Sequence, residues 1–574
     1  MSSTAKIPRG EFRNPCPDVN IPAAKHAVDS LLANVTAAHK RFGDPNPIDY
    51  EIASYPLRLI QEKIVFERSL TVRRVVEARI RLTVKASLET HCLTAFTYEQ
   101  ALEHTDFHDE DGDDDDPQDV LTCYPLFGLV FSVKDCIHVQ GLPTTLGCSQ
   151  RAGQNEAATA ELVQKLINAG GIMIAKTTAP QLMMSNTTHS PLWGTTRSPI
   201  QAVAAADQDG GADEFQVGGS SGGEASLVKM GGTQLGVGTD MGGSVRQPAC
   251  LNEVCGFKFS SMNSTFRWEL PSDFMTGLPH TSVPATAPGL LARDVSTLKL
   301  AAETLSGRKY YNAEPLTEDD FVDVYKGDPT PEPKDLGNHP RIVYTAQQSS
   351  PEVQALVHWL VDRLASLDGE ALARPSSTHE LGEIDVKPCL EAWMQHATQH
   401  GFDEARAMLG DDPLIQHTLF DDSRLGVTAA DRAQWAPDTS KLAELRDNFL
   451  RLAGVEQADD VIFVTPTYAL GGPVQNDSFV QLDDTGTAEF WCVVFNLLDW
   501  PSVSVPISLP DRVRQTIRQA ALDSPDWAPH LPGLLQADPI DADAQPRLPM
   551  LSVQLATLPG NELALLDYAQ RITG

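Results

Sequence analysis

No stretch of this chain approaches the roughly 18 apolar residues of a membrane-spanning helix, so no bilayer crossing is expected. The opening residues, MSSTAKIPRGEFRNPCPD, lack an apolar core, which argues against a secretory signal and for a cytoplasmic location. The nine cysteines are scattered without a single C-x-x-C pair, a pattern of reduced, buried thiols rather than a disulfide framework. Basic residues are outnumbered, 44 against 77 acidic ones, for a net charge of −33. Nucleic acid and anionic membrane both require clustered Lys and Arg, so neither is expected as a partner. No internal repeat is found. What remains is ordinary globular material: 574 residues, 41% apolar and 21% charged, enough for a large core.

Several familiar motifs are also missing. No Gly-Lys-Ser/Thr follows any glycine cluster, which removes a phosphate-binding loop. Gly236-Val237-Gly238 would need a third glycine where Met241 stands, which removes a dinucleotide fingerprint. His396-x-x-x-His400 has zinc-ligand spacing on a helix, but no Glu follows His396 and no third ligand is evident. It reads as a surface pair, and neither metal nor cofactor is expected. The run DFHDEDGDDDDPQD, residues 106–119, lacks the glutamate that closes a calcium loop. Mutual repulsion among its carboxylates makes it a solvated acidic loop.

Against these absences stands one dense stretch, Gly218 to Cys255, GGSSGGEASLVKMGGTQLGVGTDMGGSVRQPACLNEVC. Ten glycines fall between Gly218 and Gly243. Glycine lets a backbone N–H approach a ligand with no Cβ in the way. Ser220, Ser221 and Ser244 lie inside those clusters, so hydroxyls would stand beside free backbone donors, the parts of a nucleophile with an oxyanion hole. Gly218-Gly219-Ser220-Ser221-Gly222 also fits the G-x-S-x-G elbow, which requires a preceding strand. The residues before it, AADQDGGADEFQV, are acidic and glycine-broken and make a poor core strand.

A second motif lies upstream: Gly128-Leu129-Val130-Phe131-Ser132-Val133-Lys134-Asp135-Cys136, then Gly141-Leu142-Pro143-Thr144-Thr145-Leu146-Gly147. Together the two resemble the amidase signature family, whose members hydrolyse amides with a Ser–Ser–Lys triad, and the fungal acetamidase-like members in particular. Pro180–Gly194, Val254–Lys258, Pro288–Arg293 and Phe495–Pro506 are further segments similar to the family. The resemblance is dense over 126–293 and patchy elsewhere. It implies an α/β fold: a large, mixed, twisted sheet covered by helices on both faces, with a helical N-terminal region. The organisation expected is an N-terminal extension over 1–48, partly ordered with a short helical run near Ala23–Ala38, a helical region packed on the core over 49–105, and the acidic loop at 106–119. A catalytic domain follows over 120–574, with a divergent helical insert at about 370–455.

The same resemblance assigns roles. Ser244 would be the nucleophile, Ser220 the bridging serine and Lys134 the base, with a cis peptide at Gly219–Ser220. The N–H groups of Met241, Gly242, Gly243 and Ser244 would form the oxyanion hole. Met183 and Ser220 would line the substrate site, although a core methionine is the plain alternative at 183. Ser221, Thr239, Asp240 and Arg246 would organise the triad without taking part in chemistry. Lys134 must be neutral to accept a proton, and burial favours that form. Cys136, two residues away, is read as packing. The activity implied is hydrolysis of a small carboxylic amide to acid plus ammonia or amine, with a homodimer as the one assembly considered. The alternatives are an amidotransferase subunit of the same family and a non-catalytic binding protein on this scaffold.

Overall fold

The computed structural model describes residues 21–111, 117–200, 215–261, 286–306, 340–366, 377–397, 407–415, 439–455, 460–475, 479, 488–524 and 550–573. Short apolar runs bounded by Gly and Pro supply its strands. In chain order they are β1 (Leu93–Phe96), β2 (Val130–Lys134), β3 (Ile172–Thr177), β4 (His189–Ser190), β5 (Gly194–Thr195), β6 (Leu235–Asp240) and β7 (Cys255–Lys258). There follow β8 (Ala287–Ala292), β9 (Arg341–Tyr344), β10 (Thr378–Glu380), β11 (Val461–Pro466), β12 (Ser502–Ile507) and β13 (Leu551–Ala556). Eleven of these form one mixed sheet in the order β1-β3-β2-β6-β8-β7-β12-β13-β11-β9-β10, and β4 and β5 form a small ribbon. Parallel pairs flank an antiparallel middle: β3, β2 and β6 run parallel, as do β11, β9 and β10.

Both faces of the sheet are covered, which is why strands with a parallel neighbour such as β3 (IMIAKT) and β11 (VIFVTP) read as near-continuous apolar runs, while the antiparallel β12 (SVSVPI) and β13 (LSVQLA) carry buried polar residues between their apolar ones. Successive residues of β2 and β3 enter different cores. Phe131, Val133 and Met173 join the helices Glu161–Asn168, Val295–Ser306, Pro351–Ser366 and Glu562–Thr573. Val130, Ile172 and Ile174 join the helices Pro22–Phe42 and Val72–Thr90. This is the large mixed sheet expected from the sequence.

Two expectations change. The stretch 49–105 is not wholly helical, because its Leu93–Phe96 pairs antiparallel with β3 as the edge strand. A four-residue apolar run carries too little periodicity to be told from a helical turn. The helical run expected near Ala23–Ala38 is present and longer, Pro22–Phe42, buried along Ala24, Val28, Leu31, Val35 and Ala38. The acidic segment is not simply a loop: the helix Tyr98–Asp111 runs into it and Pro117–Cys123 leaves it. Tyr98, Ala101 and Leu102 bury the first turns, and a helix once nucleated extends at little cost even through acidic residues. Residues 112–116, 262–285, 307–339 and His400 lie outside the described residues.

Candidate active site

β2 ends at Lys134, and β6, its parallel neighbour, ends at Asp240, so both strands deliver polar residues at the same edge of the sheet. Lys134 is fully buried. Its Nζ donates to Ser220 Oγ at 2.7 Å, to Thr239 Oγ1 at 3.1 Å and to Thr239 O at 3.4 Å. It forms no ion pair with a carboxylate among the described residues. Burial lowers its pKa from the usual lysine value to about 8, opposed by the weaker pull of Cys136, Asp240 and Glu224. Lys176 on β3 shows the contrast: equally buried, it sits 3.3 Å from Asp135 and donates to the Pro143 carbonyl at 2.7 Å, a structural ion pair.

Glycines on both sides of Ser220 are required by contact. A Cβ at Gly219 would lie 2.5 Å from the Ser185 carbonyl, and one at Gly223 would lie 2.6 Å from the Thr178 backbone. The Gly219–Ser220 peptide is cis. Gly219 N donates to Gln247 Oε1 at 2.9 Å, and Gln247 Nε2 donates to Glu489 at 2.8 Å. Ser221 N donates to the Ser244 carbonyl at 3.0 Å, tying the two serine-bearing loops together, and Ser221 Oγ donates to Thr239 O at 3.4 Å.

Asp240 and Arg246 are not a surface pair; both are fully buried. The Asp240 carboxylate accepts from Gly243 N (2.9 Å), Val245 N (3.1 Å) and Arg246 N (3.4 Å), and from the Arg246 guanidinium at 2.7 and 3.0 Å. Burial alone would raise its pKa, but the charge and hydrogen bonds of Arg246 outweigh burial and hold it well below the carboxylate range. Arg246 also donates to Gln554 Oε1 at 2.7 Å and Asn496 Oδ1 at 2.5 Å, so every charge in the cluster is satisfied.

The same contacts revise the expected oxyanion hole. Gly243 N–H is committed to Asp240, so it is not free for a substrate oxygen. No backbone bond to a described residue occupies the N–H of Met241, Gly242 or Ser244, and these three are partly exposed where Gly243 and Val245 are buried. Ser244 Oγ makes no hydrogen bond to Ser220 or any other described residue, so the structure brings Lys134 and Ser220 together but leaves the Ser244 hydroxyl unjoined. Met183 is buried in the main core with Leu146 and Met184, in a turn where its φ is +61°. Cys136 is fully buried, and burial pushes its thiol up.

A family model described as "Amidase" matches residues 74–566. The chain belongs to the amidase family. Among curated relatives, this amidase-family chain is 33% identical over 280 residues to "Amidase 1" of Gibberella moniliformis, covering 48% of this chain and 49% of that protein. It is 30% identical over 279 residues to "Fatty acid amide hydrolase 1" of Caenorhabditis elegans, covering 48% and 44%. The chain thus spans about half the length of such relatives. A solved structure titled "Fatty acid amide hydrolase" superposes with a TM-score of 0.63 at 16% identity, covering 97% of both chains. That likeness is one of fold.

Sequence reasoning missed several residues of the site. Gln247 and Glu489 hold Gly219; Asn496 and Gln554 complete the Arg246 cluster. Glu224 was overlooked although it lies four residues after Ser220 in the glycine-rich stretch. It accepts from Ser132 Oγ at 2.5 Å and Thr177 Oγ1 at 2.6 Å, and burial raises its pKa to about 8. Trp393, on the helix Val386–Ala397 within the stretch expected as an insert, donates its indole N–H to the Met241 carbonyl at 2.9 Å. Among the described residues no group of three or more His, Cys, Asp or Glu could hold a metal ion, and no helix is long and apolar enough to cross a membrane.

Proposed function

We propose that this chain hydrolyses a carboxylic amide to acid plus ammonia or amine through an acyl-enzyme on Ser244. One observation carries the reading: a fully buried lysine amine 2.7 Å from a serine hydroxyl, with hydroxyls and a carbonyl as its partners instead of a carboxylate. Lys258 is equally buried and also lacks a carboxylate ion pair among the described residues, but it donates to the Phe259 carbonyl; the contact with the Ser220 hydroxyl is what sets Lys134 apart, since a base must lie beside the proton it accepts and be able to lose its own.

In this mechanism neutral Lys134 accepts the Ser220 proton while Ser220 takes the Ser244 proton, and Ser244 Oγ attacks the amide carbonyl. The N–H groups of Met241, Gly242 and Ser244 receive the oxyanion. The proton returns from Lys134 through Ser220 to the leaving nitrogen as the C–N bond breaks. Water then repeats the route on the ester and releases the acid. Ser221 and Thr239 fix the relay, and Asp240 and Arg246 fix the loop. Met183, two residues before the Ser185 carbonyl that packs on Gly219, lines the substrate site.

The test is reaction with a fluorophosphonate, the adduct mapped by mass spectrometry, beside a screen of acetamide, phenylacetamide and dodecanamide. The expected result is one adduct, on Ser244, absent in Ser244→Ala, and turnover of at least one amide. An adduct on Ser220 in Ser244→Ala would reassign the nucleophile; no adduct and no turnover would leave a binding protein on this scaffold.

A further inference from the structure

The Met241–Gly242 peptide is gripped from the insert. Trp393 donates to its carbonyl at 2.9 Å, and the indole ring lies against Gly242: a Cβ built there would meet Trp393 Cζ2 at 2.6 Å. Trp393 is itself anchored, because Cys389 and Ala392 on the same helix are buried with Phe490, Val494 and Phe495 of the helix Phe490–Leu497. The one cis peptide among the described residues is Gly219–Ser220, so Met241–Gly242 is trans. In a trans peptide the C=O and N–H point in opposite directions. Fixing the Met241 carbonyl on the indole therefore aims the Gly242 N–H away from Trp393. A hydrogen bond accepted at the carbonyl end also polarises the peptide and strengthens its N–H as a donor. The next N–H, of Gly243, is taken by Asp240, so the loop is fixed at two successive peptides by different partners.

We propose that Trp393 is a positioning residue that orients the Met241–Gly242 peptide so that the Gly242 N–H meets the oxyanion of the tetrahedral intermediate. This rests on the Ser244 mechanism above. Trp393 touches no reacting atom; it acts through the peptide it holds.

The experiment compares the wild type with Trp393→Phe and with a variant carrying 3-benzothienylalanine at position 393, which keeps the indole shape and lacks the N–H. Four quantities are measured: kcat and KM on the best amide of the screen, affinity for phenylboronic acid as a tetrahedral adduct of Ser244, and thermal midpoint. Losing an oxyanion donor costs about 10²–10³ in kcat, and misaiming one should cost part of that, about tenfold or more. The expected result is that fall in kcat with KM held, a matching loss of boronate affinity, and an unmoved thermal midpoint in the benzothienyl variant. Three outcomes overturn the proposal: kcat unchanged in that variant, a loss confined to KM, or a fall in kcat with boronate affinity intact. Fluorophosphonate labelling of the wild type separates the two claims. A labelled Ser244 with an unaffected benzothienyl variant removes Trp393 alone, whereas an unlabelled Ser244 removes both.

Discussion

The loop 241–244 is held by two regions built from opposite materials. On the sheet side stand Asp240, Arg246, Asn496 and Gln554, all buried and joined through charge-assisted hydrogen bonds. On the insert side stands a helix anchored by apolar packing, which contributes one indole hydrogen bond. The two should respond differently to damage. Breaking a buried ion pair strands an uncompensated charge and costs about 3–5 kcal/mol, whereas a single neutral hydrogen bond is worth about 1 kcal/mol. The sheet side is therefore expected to carry more of the loop's stability, and the Trp393 hydrogen bond, on the proposal above, its aim.

The sharpest way to test that division is at the base. Lys134→Ala should lower kcat by about 10²–10⁴, the range for a lost general base, with the fold retained. Because the neutral amine is the working form and burial lowers its pKa to about 8, wild-type kcat/KM should rise with pH and level off above about 8. The variant should lose that rise; a pH profile that survives in Lys134→Ala would remove Lys134 as the base. Lys134→Arg should fail too, since guanidinium stays protonated at any working pH.

Asp240→Asn comes next and acts on the sheet side. It leaves the buried Arg246 charge unpaired and loosens the acceptor of three backbone N–H groups. Chemical denaturation should show a loss of about 3–5 kcal/mol, and activity should fall with it. A variant as stable as the wild type would mean that the network is dispensable. Glu224→Gln should be milder. A carboxylate forming there as pH passes about 8 holds the Lys134 pKa up, so the neutral amide should move the midpoint of the pH–rate profile slightly downward. An upward move would contradict the sign. The smallest effect is expected from replacing residues 112–116, GDDDD, with Gly and Ser. The segment has no apolar side chain to contribute to a core, and substitutions that remove no core contact usually stay within about 0.5 kcal/mol, so kcat should hold. A large loss of kcat in a folded variant would give the acidic segment a role.

The chain's own order of residues carries the chemistry it can be read for. Glycine density alone singles out the stretch that carries Ser220 and Ser244, because a hydroxyl beside free backbone donors requires glycine around it, whereas Lys134 was named only by the family resemblance of its Gly128–Cys136 motif. Burial on both faces of a parallel strand demands a near-continuous apolar run, which makes β2, β3 and β11 readable in the sequence, whereas β6, β8 and β12 are each broken more than once by Gly, Pro or Ser. The partners were not legible. Arg246 finds Gln554 across 308 positions, Asp240 finds Asn496 across 256, and Trp393 finds Met241 across 152. A buried polar group must be satisfied, but any donor or acceptor of suitable reach will do, so local sequence leaves its identity open. The same freedom hid the commitment of Gly243 N–H to Asp240. Which N–H remains for a substrate is decided by where the neighbouring carboxylate lies in space, and only the packed sheet places it there.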